Sequence, residues 1–177
     1  MAIDASVNAP ADEKLLLDLL NSTPLIDGIE RDELATADVA RRWLGAHGGP
    51  DTAEELAVLL GLRPVLQAVV RGTRSPRELA PFLDGVSRRA QATDDGVAWS
   101  LDAPRGRVTA ARAVLAWDEL RRSSPGRLRP CANDECQLFL IDRSKPNSAR
   151  WCSMATCGNR MKARRHYQKA REVQVSE

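Results

Sequence analysis

Four cysteines fall within 27 residues near the end of a 177-residue chain: Cys131, Cys136, Cys152 and Cys157. They form two C-x4-C pairs separated by fifteen residues. Two short loops with two thiolates each can close from opposite sides on one soft cation. Zinc held tetrahedrally by four cysteines is the chemistry this favours, and four sulfurs leave no open position for a substrate. A structural ion is therefore expected rather than a catalytic one. Three other readings compete: four unrelated reduced thiols, disulfides, and an iron–sulfur cluster, which also takes four thiolates but in other spacings. Disulfides fit poorly with a reducing compartment. Such a compartment is expected because residues 1–10 have no cationic side chain and no apolar segment of the kind a secretory signal carries.

The elements that must hold this set can be read around it. Leu138–Ile141 is a strand candidate, Pro146-Asn147-Ser148 a turn, and Arg150-Trp151 a return towards Cys152, so a β-hairpin is expected between the cysteine pairs. A module this small buries little apolar surface, so the metal is needed for it to fold. Beyond Gly158 no Gly or Pro interrupts the chain, and a helix is expected with Asn159 as its N-cap. At helical spacing Ala163, Tyr167 and Ala170 make one stripe, which could pack on the metal core. Arg160, Arg164 and Arg171 make a second stripe, and Lys162, Arg165 and Lys169 a third. A helix so cationic makes sense when anchored at one end and facing a polyanion. Duplex DNA is the expected partner: its phosphates exchange counterions for Lys and Arg, and its major groove admits a helix from which Arg reads guanine. Arg143, Lys145 and Arg150 would add a second basic edge.

The whole-chain net charge of +2 hides this division. Residues 1–120 carry 13 Lys/Arg against 19 Asp/Glu, a balance of −6, whereas residues 121–177 carry 13 against 5, a balance of +8. The change coincides with the breaker Ser123-Ser124-Pro125-Gly126, which places a boundary between domains at 1–122 and 127–177. The opposed charges also allow the basic module to dock on its own N-terminal domain, or to act as an adaptor holding an acidic protein partner. No apolar run approaches the ~20 residues that span a bilayer.

The first 120 residues read as mostly helical. Helices are expected over 13–20, from Thr36 or Asp38 to about Leu44, from Asp51 or Thr52 to a stop at Gly61, over 62–70 with Pro64 in the first turn, and from Ser75-Pro76 through Leu83. Asp94-Asp95-Gly96 with alternating Val97, Trp99 and Leu101 predicts a β-hairpin. Val108–Arg122 returns to helix. Trp43, Trp99 and Trp117 are expected as core anchors, with a pocket between them as the lesser alternative. His47 reads as a loop residue. No nucleophile triad, phosphate loop or acid pair stands out, so the chain is not expected to be an enzyme.

The residues Arg150-Trp151-Cys152-Ser153-Met154, Cys157-Gly158-Asn159-Arg160 and Lys162-Ala163-Arg164-Arg165 resemble the signature of the CGNR zinc finger family. Arg127-Leu128-Arg129-Pro130-Cys131 and Phe139-Leu140-Ile141-Asp142 fit it too, so that the likeness covers about 125–171. In that family the finger follows an ABATE domain with a stress-response regulatory role. Leu16-Leu17-Asp18-Leu19-Leu20-Asn21-Ser22 and the helix from Leu62-Arg63 to Val70 are similar to that domain. The resemblance implies a bacterial, cytoplasmic transcriptional regulator in which Cys131, Cys136, Cys152 and Cys157 bind one structural zinc and the finger contacts DNA. The expected fold is mainly α: a helical N-terminal domain with a small β-hairpin, which senses a small-molecule effector or mediates homodimerisation, and a treble-clef-like four-cysteine finger.

Overall fold

The computed structural model describes residues 9–175. About 49% of the chain is helical, in six helices joined by small two-stranded hairpins among the described residues. Helix α1 (Ala9–Leu20) buries Leu15, Leu16, Leu19 and Leu20, each at most 1% exposed. Its spacing of one, three and one residues keeps all four on one face. A tight hairpin follows, β1 (Leu25–Ile26) and β2 (Ile29–Glu30), whose two-residue turn carries positive φ at Asp27 and Gly28. Asp and Gly are the residue types that adopt this turn without strain.

Helix α2 (Ala37–Ala46) starts after Thr36, as expected. Helix α3 (Ala53–Val70) starts after Thr52, whose side chain accepts from the Glu55 amide, but it does not stop at Gly61. It runs unbroken through Pro64, so the two helices expected here are one. The reason is burial. Leu59, Leu62 and Leu66 are fully buried and Val69 nearly so. Each contributes about 1.5–3 kcal/mol, which together outweighs the ~3 kcal/mol of a proline inside a helix.

Ser75 and Glu78 form a capping box on a 3₁₀ turn, Pro76–Leu79, that leads into α4 (Ala80–Leu83). The predicted hairpin is present as β3 (Ser87–Thr93) and β4 (Gly96–Asp102), with Thr93 paired to Gly96 across the Asp94-Asp95 turn. Helix α5 (Val108–Ser123) packs along α1 and buries Ala110, Ala111, Ala113 and Val114, small residues that permit close packing. The buried Glu55 carboxylate accepts from the Thr109 amide at the start of α5. It thus caps from another helix an end that has no cap of its own. Arg112 of α5 pairs with the buried Asp12 at 2.7 Å, and Arg63 of α3 holds Asp32 through two bonds of 2.7 and 2.8 Å.

Trp43 and Trp117 pack against the core, as expected of anchors. Trp99 does not: it is 53% exposed on the β3–β4 hairpin. His47 caps the end of α2 with its side chain almost fully buried. Its Nδ1 lies 2.8 Å from the Trp43 carbonyl and its Nε2 2.9 Å from Asp18.

The C-terminal part adds β5 (Leu128–Pro130) and β6 (Phe139–Ile141), an antiparallel pair, then a helical turn at Met154–Gly158 and α6 (Asn159–Val175). Phe139 is 1% exposed and belongs to the same core as Leu15, Leu66 and Leu120. Its amide and carbonyl both bond the Asn21 side chain, at 2.7 and 3.2 Å. The base of the finger is thus built into the helical body. Replacing Phe139 by Ala opens a cavity at this junction. It should cost about 3–5 kcal/mol and lower one common unfolding transition, which thermal denaturation followed by near- and far-ultraviolet circular dichroism would show. Two separate transitions, with only the smaller one moved, would contradict the shared core.

Candidate metal centre and cationic helix

β5 and β6 are joined by the first cysteine pair. Pairing of Leu128 with Ile141 and Pro130 with Phe139 forces residues 131–138 into a knuckle. The Cys131 amide bonds the Leu138 carbonyl at 2.8 Å, and the Cys136 amide bonds the Asn133 carbonyl at 2.8 Å. The hairpin expected between the two cysteine pairs therefore forms with a different partner. Phe139–Ile141 is a strand, but it pairs backwards with Leu128–Pro130, and Arg150-Trp151 is loop. The second pair sits on Cys152 and on Cys157 in the helical turn that starts α6. Ser153, whose side chain accepts from the Thr156 amide at 3.4 Å, caps this turn in place of the expected Asn159.

The four sulfurs lie within 4.8 Å of one another. Cys136–Cys152 and Cys152–Cys157 are each 3.7 Å apart. Four thiolates about 2.3 Å from a central zinc would stand about 3.8 Å apart at tetrahedral corners, so the donor set fits that ion. The same separation is far beyond the about 2.05 Å of a disulfide bond, and all four cysteines are free. Burial pushes the Cys136 thiol up to about 11 and raises Cys152 as well. At Cys157 burial acts in the same sense, but bonds from Asn133 and from the other thiols leave it below the ordinary thiol value. A cluster of this kind ionises fully only around a cation. Cys131, Cys136, Cys152 and Cys157 could coordinate one zinc ion as four thiolates, and such an ion would supply cross-linking rather than reaction chemistry.

Residues beyond the cysteines shape this centre. Asn133 is fully buried; its Nδ2 donates to Cys157 Sγ at 3.5 Å, and its Oδ1 accepts from the Glu135 amide at 3.4 Å. The Cys152 amide donates to Cys131 Sγ at 3.4 Å. Asp142, at the end of β6, accepts from the amides of Ser144 and Ala149 at 2.8 Å each, and from Arg129 at 2.5 Å. Hydrogen bonding from Ser144, with that of Ala149 and the charge of Arg129, outweighs burial and holds its carboxyl down to about 2. This clamp fixes the loop that carries the chain from β6 to Cys152. Spacing alone does not find Asn133. The local signal is an Asn two residues after a cysteine, where an Asx turn can close the knuckle. Asn133→Leu, similar in size but without the amide, should weaken zinc about 10–100-fold in a chelator competition assay. Unchanged affinity would mean that the amide does not stabilise the thiolate.

The predicted phosphate-facing residues lie on α6 and on the loop from β6 to Cys152. Arg160, Lys162, Arg165 and Arg171 are exposed along α6. Arg164 is exposed as well and meets Glu135 of the knuckle at 2.5 Å. Its hydrogen bond and charge hold Glu135 below the ordinary carboxylate range. The Lys169 and Ala170 side chains lie outside the described residues. Arg143 pairs with Glu13 of α1, Lys145 is exposed, and Arg150 lies over the Trp151 ring at 5.2 Å. Ala163 is exposed and Tyr167 is 70% exposed, so the stripe expected to pack on the metal core does not. Helix α6 leaves the finger directly after Cys157, and residues 162–168 are exposed without exception.

The CGNR zinc finger family model matches residues 127–170. The ABATE family model, described as "Putative stress-induced transcription regulator", matches residues 13–138. Among curated proteins none matches the chain. The second match reaches past α5 and the knuckle to Leu138, the residue before Phe139 seats the finger in the helical core. Covering more than half of the chain, and completed by a four-cysteine cluster inside the first match, it shows that this protein belongs to the ABATE family and carries a CGNR zinc finger.

Proposed function

We propose that this protein is a zinc-dependent, DNA-binding transcriptional regulator without enzymatic activity. One observation carries the reading: a helix rooted by Cys157 at the metal site, exposed around its circumference, with Arg160, Lys162, Arg164, Arg165 and Arg171 along it. A helix that is polar on every side has no protein core to stabilise it. Phosphates would supply both a surface and counter-charge. In the proposed complex the zinc fixes the start of α6, which together with the knuckle and β5–β6 makes a treble-clef-like unit. Arg160, Lys162, Arg164, Arg165, Lys169 and Arg171 meet phosphates or base edges, with Lys145, Arg150 and Arg143 on a second edge. Arg143 would exchange Glu13 for phosphate.

The domains in this reading are a helical regulatory part, residues 1–122, and the finger, residues 127–177. A half-open groove of about 430 Å³ beside Trp117 supports a small-molecule effector. It is lined by Val69, Leu120, Arg74 and Arg121 of the helical part and by Leu128 of β5, so an occupant would touch both. No helix among the described residues is long and apolar enough to cross a membrane; a cytoplasmic regulator is the proposed setting.

A second reading, the basic module docked on its own acidic domain, has partial support. Phe139 and the Arg143–Glu13 pair hold the base of the finger on α1. Among the described residues, however, no cation of α6 pairs with an acid of the helical part. The two readings separate in a titration of duplex DNA with full-length, zinc-loaded protein at low salt. Binding that weakens with added salt is expected; absence of binding would overturn the proposal in favour of docking or of a protein partner.

A further inference from the structure

The hairpin β3–β4 is anomalous in a protein of this size. Every residue of β3 is exposed, and β4 is exposed from Gly96 to Trp99. An isolated two-stranded hairpin is marginal in water. Its two faces differ sharply. Residues opposite one another in an antiparallel pair share a face. The register therefore sets Arg88 with Leu101, Ala90 with Trp99 and Ala92 with Val97 on one side, and Arg89 with Ser100, Gln91 with Ala98 and Thr93 with Gly96 on the other. The first face starts inside the body, where Leu101 is 3% exposed, and continues into solvent as Trp99 at 53% and Val97 at 63%.

Charge selects what can cover it. Asp94 and Asp95 at the tip would repel a phosphate backbone, which argues against a nucleic acid ribbon. At the base of the same face, about 20 Å away at 3.4 Å per residue, Arg88 has no acidic partner among the described residues, and neither tip aspartate has a basic one. A face that is acidic at one end, basic at the other and apolar between complements itself when turned end for end. We propose that this hairpin face is an interface with a second copy of the chain, the two hairpins packed antiparallel about a two-fold axis. Each Asp94-Asp95 tip meets the partner subunit's base, and Trp99 covers the small Ala90 and Ala92 positions across the axis. Such an interface is isologous and closed. A ribbon this short covers less than the roughly 800 Å² per partner of a standard stable interface, so the dimer is expected to be concentration-dependent in the micromolar range.

Sedimentation equilibrium of full-length, zinc-loaded protein tests this directly. Wild type should show reversible monomer–dimer exchange. Trp99→Ser should weaken it roughly tenfold or more, as an aromatic anchor does, while zinc content and helical signal stay unchanged. Arg88→Glu alone and Asp94→Arg with Asp95→Arg alone should each weaken association, and the three together should restore it. A wild type that stays monomeric at several hundred micromolar, a dimer indifferent to Trp99, or charge reversals that do not rescue one another would overturn the proposal.

Discussion

Replacing Cys157 by Ser, or stripping zinc with a chelator, is expected to unfold residues 127–158 and detach the start of α6 while leaving α1, α3 and α5 folded. Cys157 holds two jobs at once. Its sulfur is one corner of the metal site, and its backbone lies in the turn from which α6 grows. Metal binding contributes about 10–16 kcal/mol to structural zinc modules, more than the whole stability of most small domains. Little else holds the knuckle: β5 and β6 have three residues each, and the loop to Cys152 rests on the Asp142 clamp. Hydrogen exchange should show protection lost across the knuckle, the 143–153 loop and Met154–Gly158, with protection retained at Leu15–Leu20 and Leu59–Val69. Retained protection in the finger after zinc removal would mean that packing on α1 suffices to fold it. The helical body should nevertheless lose some stability, because Phe139 stays in its core only while β6 is held in place.

The second large effect concerns the charges of α6. Arg164→Ala with Arg165→Ala is expected to weaken duplex binding roughly 10–100-fold near 0.1 M salt, and to flatten the log–log salt dependence by about 0.9 for each phosphate contact removed. The change should be similar for unrelated sequences if both residues meet phosphates, and uneven if either reads a base. Glu135 gives a control of opposite sign. It ties Arg164 to the knuckle at 2.5 Å, so Glu135→Gln should release that guanidinium and tighten binding. Loss of affinity in the Glu135 variant would indicate that the pair positions α6 rather than restrains it.

The metal site is the most legible part of the chain, because thiol chemistry and loop spacing are both local. The existence of the long helices is legible for the same reason, their buried faces less so: the spacing of Leu16, Leu17 and Leu20 suggests one face of α1, yet Leu17 is half-buried while Leu15 and Leu19 are fully buried. Non-local competition decides the rest. Gly61 and Pro64 read as breaks, yet α3 continues because the core claims Leu59, Leu62 and Leu66 together. Leu128-Arg129-Pro130 has no alternation to mark a strand, and it becomes one because the knuckle folds it onto Phe139–Ile141. Ala163 and Tyr167 keep helical spacing without a surface to pack on. Trp99, expected inside, stands on an apolar face that extends outwards. Asn133 and Asp142 carry no signal in the spacing, because their roles rest on hydrogen bonds to amides and sulfurs that only the folded loop brings near.

In the proposed function zinc organises a cationic helix for DNA. Fluorescence anisotropy of a labelled 30-base-pair duplex, of the length used for roughly three helical turns, tests it with full-length protein in zinc-loaded and chelated forms across a salt series. Salt-sensitive binding by the loaded protein, lost on chelation and regained on adding zinc back, is the predicted result. Undetectable binding at low salt with zinc in place, or equal binding with and without the metal, would contradict it.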